Sequence, residues 1–247
     1  MTAPLVIIPA RLASTRLPGK PLADIAGKPM IVHVLHAAQA AQIGRVVVAA
    51  ADQEICDVVK NAGGEAVLTD PNLASGSDRV WQAAHHLDPT EKHDVLINLQ
   101  GDLPTFPPDY LHTLMQTMED TSFDIGTLVA PVTTDAEKHA ASVVKVACHF
   151  YGNAPTTPAL YFSRSVIPWG EGLTWHHVGI YGWRRDALRK FVSLPESGLE
   201  QREKLEQLRA LEAGLRIGCA HIKTAPFGVD TPEDLERARQ AVGRASL

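Results

Sequence analysis

Four short apolar runs, each followed by a helical stretch before the next begins, constrain this chain more than any other feature. Leu5–Ile8, Arg45–Ala50, Glu65–Thr69 and Asp94–Leu99 read as strands. Between them Met30–Ala41 carries helical spacing at Met30, Val34, Ala37, Ala38 and Ala41. Gln53–Ala62 is a short helix stopped by Gly63-Gly64, and Ser77–Leu87 is a third. Strands separated by whole helices predict a parallel sheet, because a parallel neighbour is reached only by a crossover. The expected class is α/β, a three-layer α/β/α, Rossmann-like, mostly parallel sheet.

The second half is less regular and reads as a strand-rich insertion. Pro108–Met118 is a helix opened by proline. Ile125–Val132, Val143–Cys148, Leu160–Phe162 and Val178–Trp183 are strands. Leu199, Leu205, Leu208 and Leu211 predict one amphipathic helix over Gly198–Glu212. Ile217–Ile222 is a late strand, and Thr231-Pro232 opens the last helix with Thr231 as N-cap. There is no internal repeat, low-complexity segment or clear linker.

Composition bounds the partners. Of 247 residues, 45% are hydrophobic and 21% charged, a globular balance, and the net charge of −5 supplies no global field for nucleic acid. Cys56, Cys148 and Cys219 are too far apart for a C-x-x-C pair, which fits a reducing compartment. Leu5–Ile8 is too short for a signal peptide or a membrane span. The expectation is a cytoplasmic protein with no membrane partner.

The first strand breaks into Pro9-Ala10-Arg11-Leu12-Ala13-Ser14-Thr15-Arg16-Leu17-Pro18-Gly19-Lys20-Pro21. Three cations and two hydroxyls lie in a segment whose prolines forbid a helix. A cationic loop at the carboxyl end of a first strand is where an open α/β sheet receives an anion; it is also an ordinary solvated loop. It is not a Walker A loop, since Pro21 follows its Gly-Lys. The fourth strand ends in Gln100-Gly101-Asp102, so Asp102 is a candidate Mg²⁺ ligand, or a turn aspartate. Asp230, after Gly228 and before the last helix, is the second candidate carboxylate, or a residue serving the helix dipole. Ser75-Gly76-Ser77-Asp78-Arg79 offers amides to a phosphate or ribose, or merely Ser77 as an N-cap. His33, His36, His85 and His86 read as structural or surface residues. His176-His177, placed before a strand, are more open to a role.

Taken together these segments resemble a known family. Pro9-Ala10-Arg11-x-x-Ser14-Thr15-Arg16-Leu17-Pro18-Gly19-Lys20 resembles the signature loop of the sugar-activating cytidylyltransferases. Ser75-Gly76-Ser77-Asp78-Arg79, Gln100-Gly101-Asp102, Tyr161-Phe162-Ser163-Arg164, His177-x-Gly179-Ile180-Tyr181-Gly182, Leu205-Glu206-Gln207 and Gly228-Val229-Asp230-Thr231-Pro232 follow in the family's order. The set is similar to the 3-deoxy-manno-octulosonate (Kdo) cytidylyltransferases. The resemblance implies a nucleotide-diphospho-sugar transferase-like fold in one domain over 1–247, with a nucleotide-binding half to about 120 and a sugar-binding and dimerisation half after it. It implies that CTP and Kdo give CMP-Kdo and pyrophosphate with Mg²⁺, for lipopolysaccharide, in a cytoplasmic homodimer. By resemblance Arg11, Lys20, Asp102 and Asp230 are catalytic. Asp102 and Asp230 hold the metal. Pro9, Ala10, Arg11, Ser14, Lys20, Ser75, Gly76, Arg79 and Gln100 bind nucleotide. Arg164, His177, Tyr181, Glu206 and Gln207 bind the sugar, Arg164 taking its carboxylate bidentately. Rivals are a cytidylyltransferase for an 8-amino Kdo analogue, sialic acid or methylerythritol phosphate, and a catalytically degenerate nucleotide-binding regulator. The chain departs from the family's pattern where Leu103 replaces an acid after Gly-Asp, and where Ala51 moves the second strand's acid to Asp52.

Overall fold

The computed structural model describes residues 3–14 and 16–245. In chain order they form β1 (Leu5–Ala10), a hairpin of β2 (Asp24–Ile25) and β3 (Lys28–Pro29), and α1 (Met30–Ala40). Then come β4 (Arg45–Ala50), α2 (Gln53–Asn61), β5 (Glu65–Leu68), α3 (Gly76–Leu87), β6 (Val95–Asn98) and α4 (Asp109–Glu119). The remainder is β7 (Ile125–Pro131), α5 (Asp135–His139), β8 (Lys145–Ala147), β9 (Thr156–Pro158), β10 (Tyr161–Ser163), β11 (Trp175–Arg184), α6 (Arg185–Val192), α7 (Gly198–Glu203), α8 (Gln207–Glu212), β12 (Ile217–His221) and α9 (Pro232–Ala245).

The chain divides into two compact units, residues up to Leu111 together with those from Pro226, and His112–Ala225. In the first unit the expected parallel sheet is present. β1 pairs in parallel with β4 and with β6, and β4 with β5, giving the order β5-β4-β1-β6. Leu5, Val6, Ile7 and Ile8 are wholly buried, as a parallel strand covered on both faces must be. α9 returns to this unit: Leu235 and Ala238 join Ile25, Met30 and Val229 in one apolar cluster. That packing is what carries Asp230 to the unit of the first strand.

The second unit is mixed. β7 pairs in parallel with β12 and antiparallel with β11, while β8 joins β10 and β11 antiparallel, and β9 edges β12 antiparallel. Three glycines stand abreast across its middle, Gly182 opposite Gly126 and Gly126 opposite Gly218. The row is a trough into which side chains descend. A Cβ on Gly126 would lie 1.7 Å from Thr117 Oγ1, and one on Gly218 would lie 2.4 Å from the Phe123 ring.

Three sequence expectations are corrected. The helix expected over Gly198–Glu212 is two helices, α7 and α8, broken where Lys204 enters the left-handed region at φ 56°. His176 and His177 lie inside β11, not before it. The N-cap of α3 is Ser75, not Ser77: Ser75 Oγ accepts from Asp78 N at 3.1 Å and Asp78 Oδ2 accepts from Ser75 N at 3.0 Å, a reciprocal capping box. The α6 helix, the β2–β3 hairpin, α5 and β9 were not anticipated.

Candidate active site

In the first unit the carboxyl ends of β1 and β6 and the start of α3 surround an open cleft of about 390 Å³, within the size range of ligand pockets. Pro9, Ala10, Arg11, Ser14 and Lys20 line one part of it, Ser75, Gly76 and Arg79 another, and Gln100 and Asp102 a third. Nine segregated sequence candidates and Asp102 are thereby brought together. Thr15, in the middle of the signature loop, lies outside the described residues.

The loop is held in shape locally. Gly19 takes φ 69° and donates its N–H to Leu12 O at 3.1 Å, closing the segment before a single tight turn at Lys20–Leu22. Leu12 N donates to Asp52 Oδ2 at 2.8 Å, so the acid shifted to position 52 ties the loop to the end of β4. Gly101 passes against the end of β1, where a Cβ would meet Pro9 O at 3.0 Å. A side chain there would push Asp102 away from the loop.

Lys20 is the centre of the charge arrangement. Its Nζ donates to Asp102 Oδ2 at 2.8 Å and to Asp230 Oδ1 at 3.0 Å. Burial works against the ammonium, but Asp102 and Asp230 together hold its pKa above the ordinary 10.5. Arg16 reaches the other oxygen of Asp230, at 3.0 Å, in an exposed pair. Arg11 is exposed at the cleft, and Arg79 is buried, 2% exposed, behind it. Burial first, and then the like charge of Arg11, pull the Arg79 pKa below its ordinary value. Two cations that raise each other's energy across a cleft are stabilised by an anion between them.

The donor set fits Mg²⁺. Asp102 and Asp230 aim two hard oxygens at one cation position, now taken by the Lys20 ammonium. No group of three or more metal-binding side chains occurs among the described residues; a Mg²⁺ held by these two acids would take its further ligands from phosphate and water oxygens. Leu103 is a buried packing residue, its Cδ2 3.9 Å from where a Cβ on Gly228 would stand, and the Asp102 carbonyl accepts from Val229 N at 2.9 Å. That backbone bond links the two acidic segments.

The second unit holds the other candidates. Between Val178 and Tyr181, β11 advances three residues while β7 advances one. Positions four apart on a regular strand are separated by about 13 Å. The bulge instead brings the rings of His177 and Tyr181 to 5.5 Å. Burial pushes the His177 pKa down to about 3, so the ring is neutral, and Thr127 Oγ1 lies 3.1 Å from its Nε2. Burial, then Glu206 and Cys219, raise the Tyr181 phenol well above its ordinary value. Gln207 is 6% exposed, and its buried Nε2 has no hydrogen-bond partner among the described residues. Arg164 is engaged differently from the sequence expectation. Its Nε donates to Glu203 O at 2.7 Å, and its two Nη atoms to Ala141 O at 3.0 Å and Lys204 O at 3.2 Å. The guanidinium therefore fixes the corner between α7 and α8, from which Glu206 and Gln207 project. Asp52, Thr69, Thr127 and Glu203 bond the signature loop or the candidate residues, and the sequence reading gave none of them a place in the site. Their signal lies in contacts between segments, not in any local pattern.

With this geometry in view, similarity to known proteins is informative. The family model described as Cytidylyltransferase matches residues 5–217. A 3-deoxy-manno-octulosonate cytidylyltransferase of Parvibaculum lavamentivorans is 58% identical over 244 residues, which is 99% of this chain and 94% of that one. Another, of Rhodospirillum centenum, is 53% identical over 236 residues, covering 96% and 92%. Among solved structures, a CMP:2-keto-3-deoxy-manno-octonic acid synthetase complexed with CTP is similar with a TM-score of 0.89 at 40% identity, over 99% of this chain and 100% of that one.

Proposed function

The chain belongs to the cytidylyltransferase family, among its 3-deoxy-manno-octulosonate members, and from that premise we propose that it transfers CMP from CTP to Kdo, releasing pyrophosphate, to supply activated Kdo for lipopolysaccharide. The observation that carries the reading is the cleft in which Lys20 stands between Asp102 and Asp230 at 2.8 and 3.0 Å, beside Arg11 and Arg79.

The anomeric hydroxyl of the sugar acid attacks the α-phosphorus; an O–P bond forms, the bond to the pyrophosphate oxygen breaks with its electron pair leaving on pyrophosphate, and the hydroxyl proton passes to water. Positioning and charge neutralisation supply most of such catalysis. Arg11, Lys20 and Arg79 take the negative charge of the triphosphate, and Lys20 exchanges its carboxylate partners for phosphate oxygens. The amide of Gly76, at the start of α3, adds the positive end of a helix beside Ser75. Pro9, Ala10, Ser14 and Gln100 complete the wall on the nucleoside side. Asp102 and Asp230 would hold Mg²⁺, which when bound supplies neutralisation of phosphate charge and lowers the acidity barrier of the attacking hydroxyl. His177, neutral and fixed by Thr127, offers a hydrogen bond to the sugar without a charge, as do Tyr181 and Gln207; Glu206 accepts. Arg164 orients the corner that carries Glu206 and Gln207, and its remaining N–H groups are what it has for the sugar carboxylate.

We further take the active form to be a cytoplasmic homodimer. No described helix is long and apolar enough to cross a membrane. The test is pyrophosphate release from CTP and Mg²⁺ with a panel of acid sugars. Release with Kdo is the expected result. Release only with an 8-amino analogue or sialic acid moves the acceptor, and CTP binding without release with any sugar makes the chain a regulator.

A further inference from the structure

Arg79 lines the cleft although only 2% of it is exposed, so its guanidinium is oriented from behind. The residue behind it is Thr69, 4% exposed, at the end of β5. Thr69 N and Thr69 Oγ1 both donate to Ala50 O, each at 2.8 Å. A carbonyl only accepts, so the single hydroxyl proton is committed to Ala50. A guanidinium only donates, and Arg79 Nη1 donates to the same Oγ1. The relay from Arg79 through Thr69 to Ala50 therefore has one polarity and no alternative arrangement. Nη1 also donates to Asp70 O at 3.0 Å, which engages both of its N–H groups. Nε and Nη2 carry the remaining donors of the fork.

We propose that Thr69 is a positioning residue of the nucleotide site: it sets the rotation of the Arg79 guanidinium and thereby the affinity for CTP, without touching the nucleotide. The inference rests on the nucleotide reading of the cleft, and calorimetric titration of CTP into the unmodified enzyme tests that reading separately. Absence of CTP binding there overturns the reading and removes the relay's purpose with it.

Given CTP binding, Thr69→Val and Thr69→Ser divide the question. The valine has the same shape and no hydroxyl; the serine keeps the hydroxyl. Loss of a buried hydrogen bond to a charged group predicts a CTP Kd and KM raised about tenfold in Thr69→Val, with kcat and the Kdo KM little changed. Thr69→Ser is expected within about twofold of the unmodified enzyme. In an Arg79→Ala background, Thr69→Val is expected to cost nothing more in CTP affinity. Thr69→Ala carries the same predictions if the valine variant does not fold. Equal CTP affinity in the valine or alanine variant and the unmodified enzyme overturns the proposal. So does a full loss that persists in the Arg79→Ala background.

Discussion

Lys20 occupies the position between two carboxylates that a divalent cation would need, so on the proposed reading one side chain would couple metal and nucleotide. While the ammonium bonds Asp102 and Asp230, a metal would have to displace it. A triphosphate that drew Lys20 away would leave the two carboxylates open to a metal, so each ligand would favour the other. Lys20→Met is therefore expected to raise the affinity of nucleotide-free protein for Mn²⁺ about five- to tenfold while weakening CTP binding by at least as much. Titration followed by electron paramagnetic resonance checks the first half; an unchanged Mn²⁺ affinity removes the coupling. Asp102→Asn and Asp230→Asn are each expected to lower kcat about a hundredfold or more with Lys20 intact, measured as pyrophosphate release. Near-normal turnover in either variant takes that residue out of the metal site. The Lys20 pKa is raised, so its pairing is complete below the ordinary 10.5 and is lost only as pH climbs through the raised value. Any competition between Lys20 and a metal would thus be constant across the neutral range. Arg11, Lys20 and Asp102 were all legible in the sequence because each lies in a strand-end motif. The resemblance also put Asp102 and Asp230 on one cation; that Lys20 itself stands between them was not legible, since it depends on α9 packing against Ile25 and Met30.

At the scale of elements, local pattern named most strands and helices to within a few residues and failed where another segment intervenes. The leucine spacing over Gly198–Glu212 is helical, yet Arg164 takes the carbonyls of Glu203 and Lys204, and the Glu203 carboxylate accepts from Ser163 Oγ at 2.7 Å and Arg164 N at 3.0 Å. Those carbonyls are thus satisfied without a continuing helix, and the chain turns at Lys204. The β11 bulge was equally hidden, though it brings His177 to the ring of Tyr181. Its pKa near 3 against an unfolded value of 6.5 means that the unfolded chain binds the extra proton. The stability is therefore present above 6.5 and is lost as pH falls toward 3. Between pH 6.5 and 5, the unmodified protein is expected to lose about 2 kcal/mol more stability than His177→Gln. Urea unfolding of both at the two pH values checks this; parallel losses contradict it. The glycine trough gives a separate test. Gly126→Ala puts a methyl 1.7 Å from Thr117 Oγ1, a distance that demands movement of α4 or β7. Overpacking of this kind is expected to cost about 3 kcal/mol, read from the same urea curves, and Thr117→Gly in the same chain is expected to restore part of it.

Over the whole molecule, exposed apolar surface is unevenly shared. Of the large hydrophobic side chains exposed among the described residues, Tyr151 at 77%, Leu160 at 72%, Trp169 at 99% and Leu173 at 67% all belong to the second unit, within a span of 23 positions. The first unit contributes only Leu68 to the same set, at 49%. Side chains of this size left in water, if they form one patch, are what an interface with another protein would cover. A second copy is the occupant the homodimer reading requires. Sedimentation velocity is then expected to give twice the 26.7 kDa chain mass at micromolar concentration. Burying one leucine is worth about 2 kcal/mol, and a glutamate in its place adds the desolvation of a charge. Leu160→Glu combined with Trp169→Glu is accordingly expected to shift the population to monomer by raising the dimer dissociation constant at least about a hundredfold, and to lower the unfolding midpoint at fixed protein concentration. A double variant that sediments as the unmodified protein does would mean that these residues face solvent in the working enzyme and that any dimer forms elsewhere.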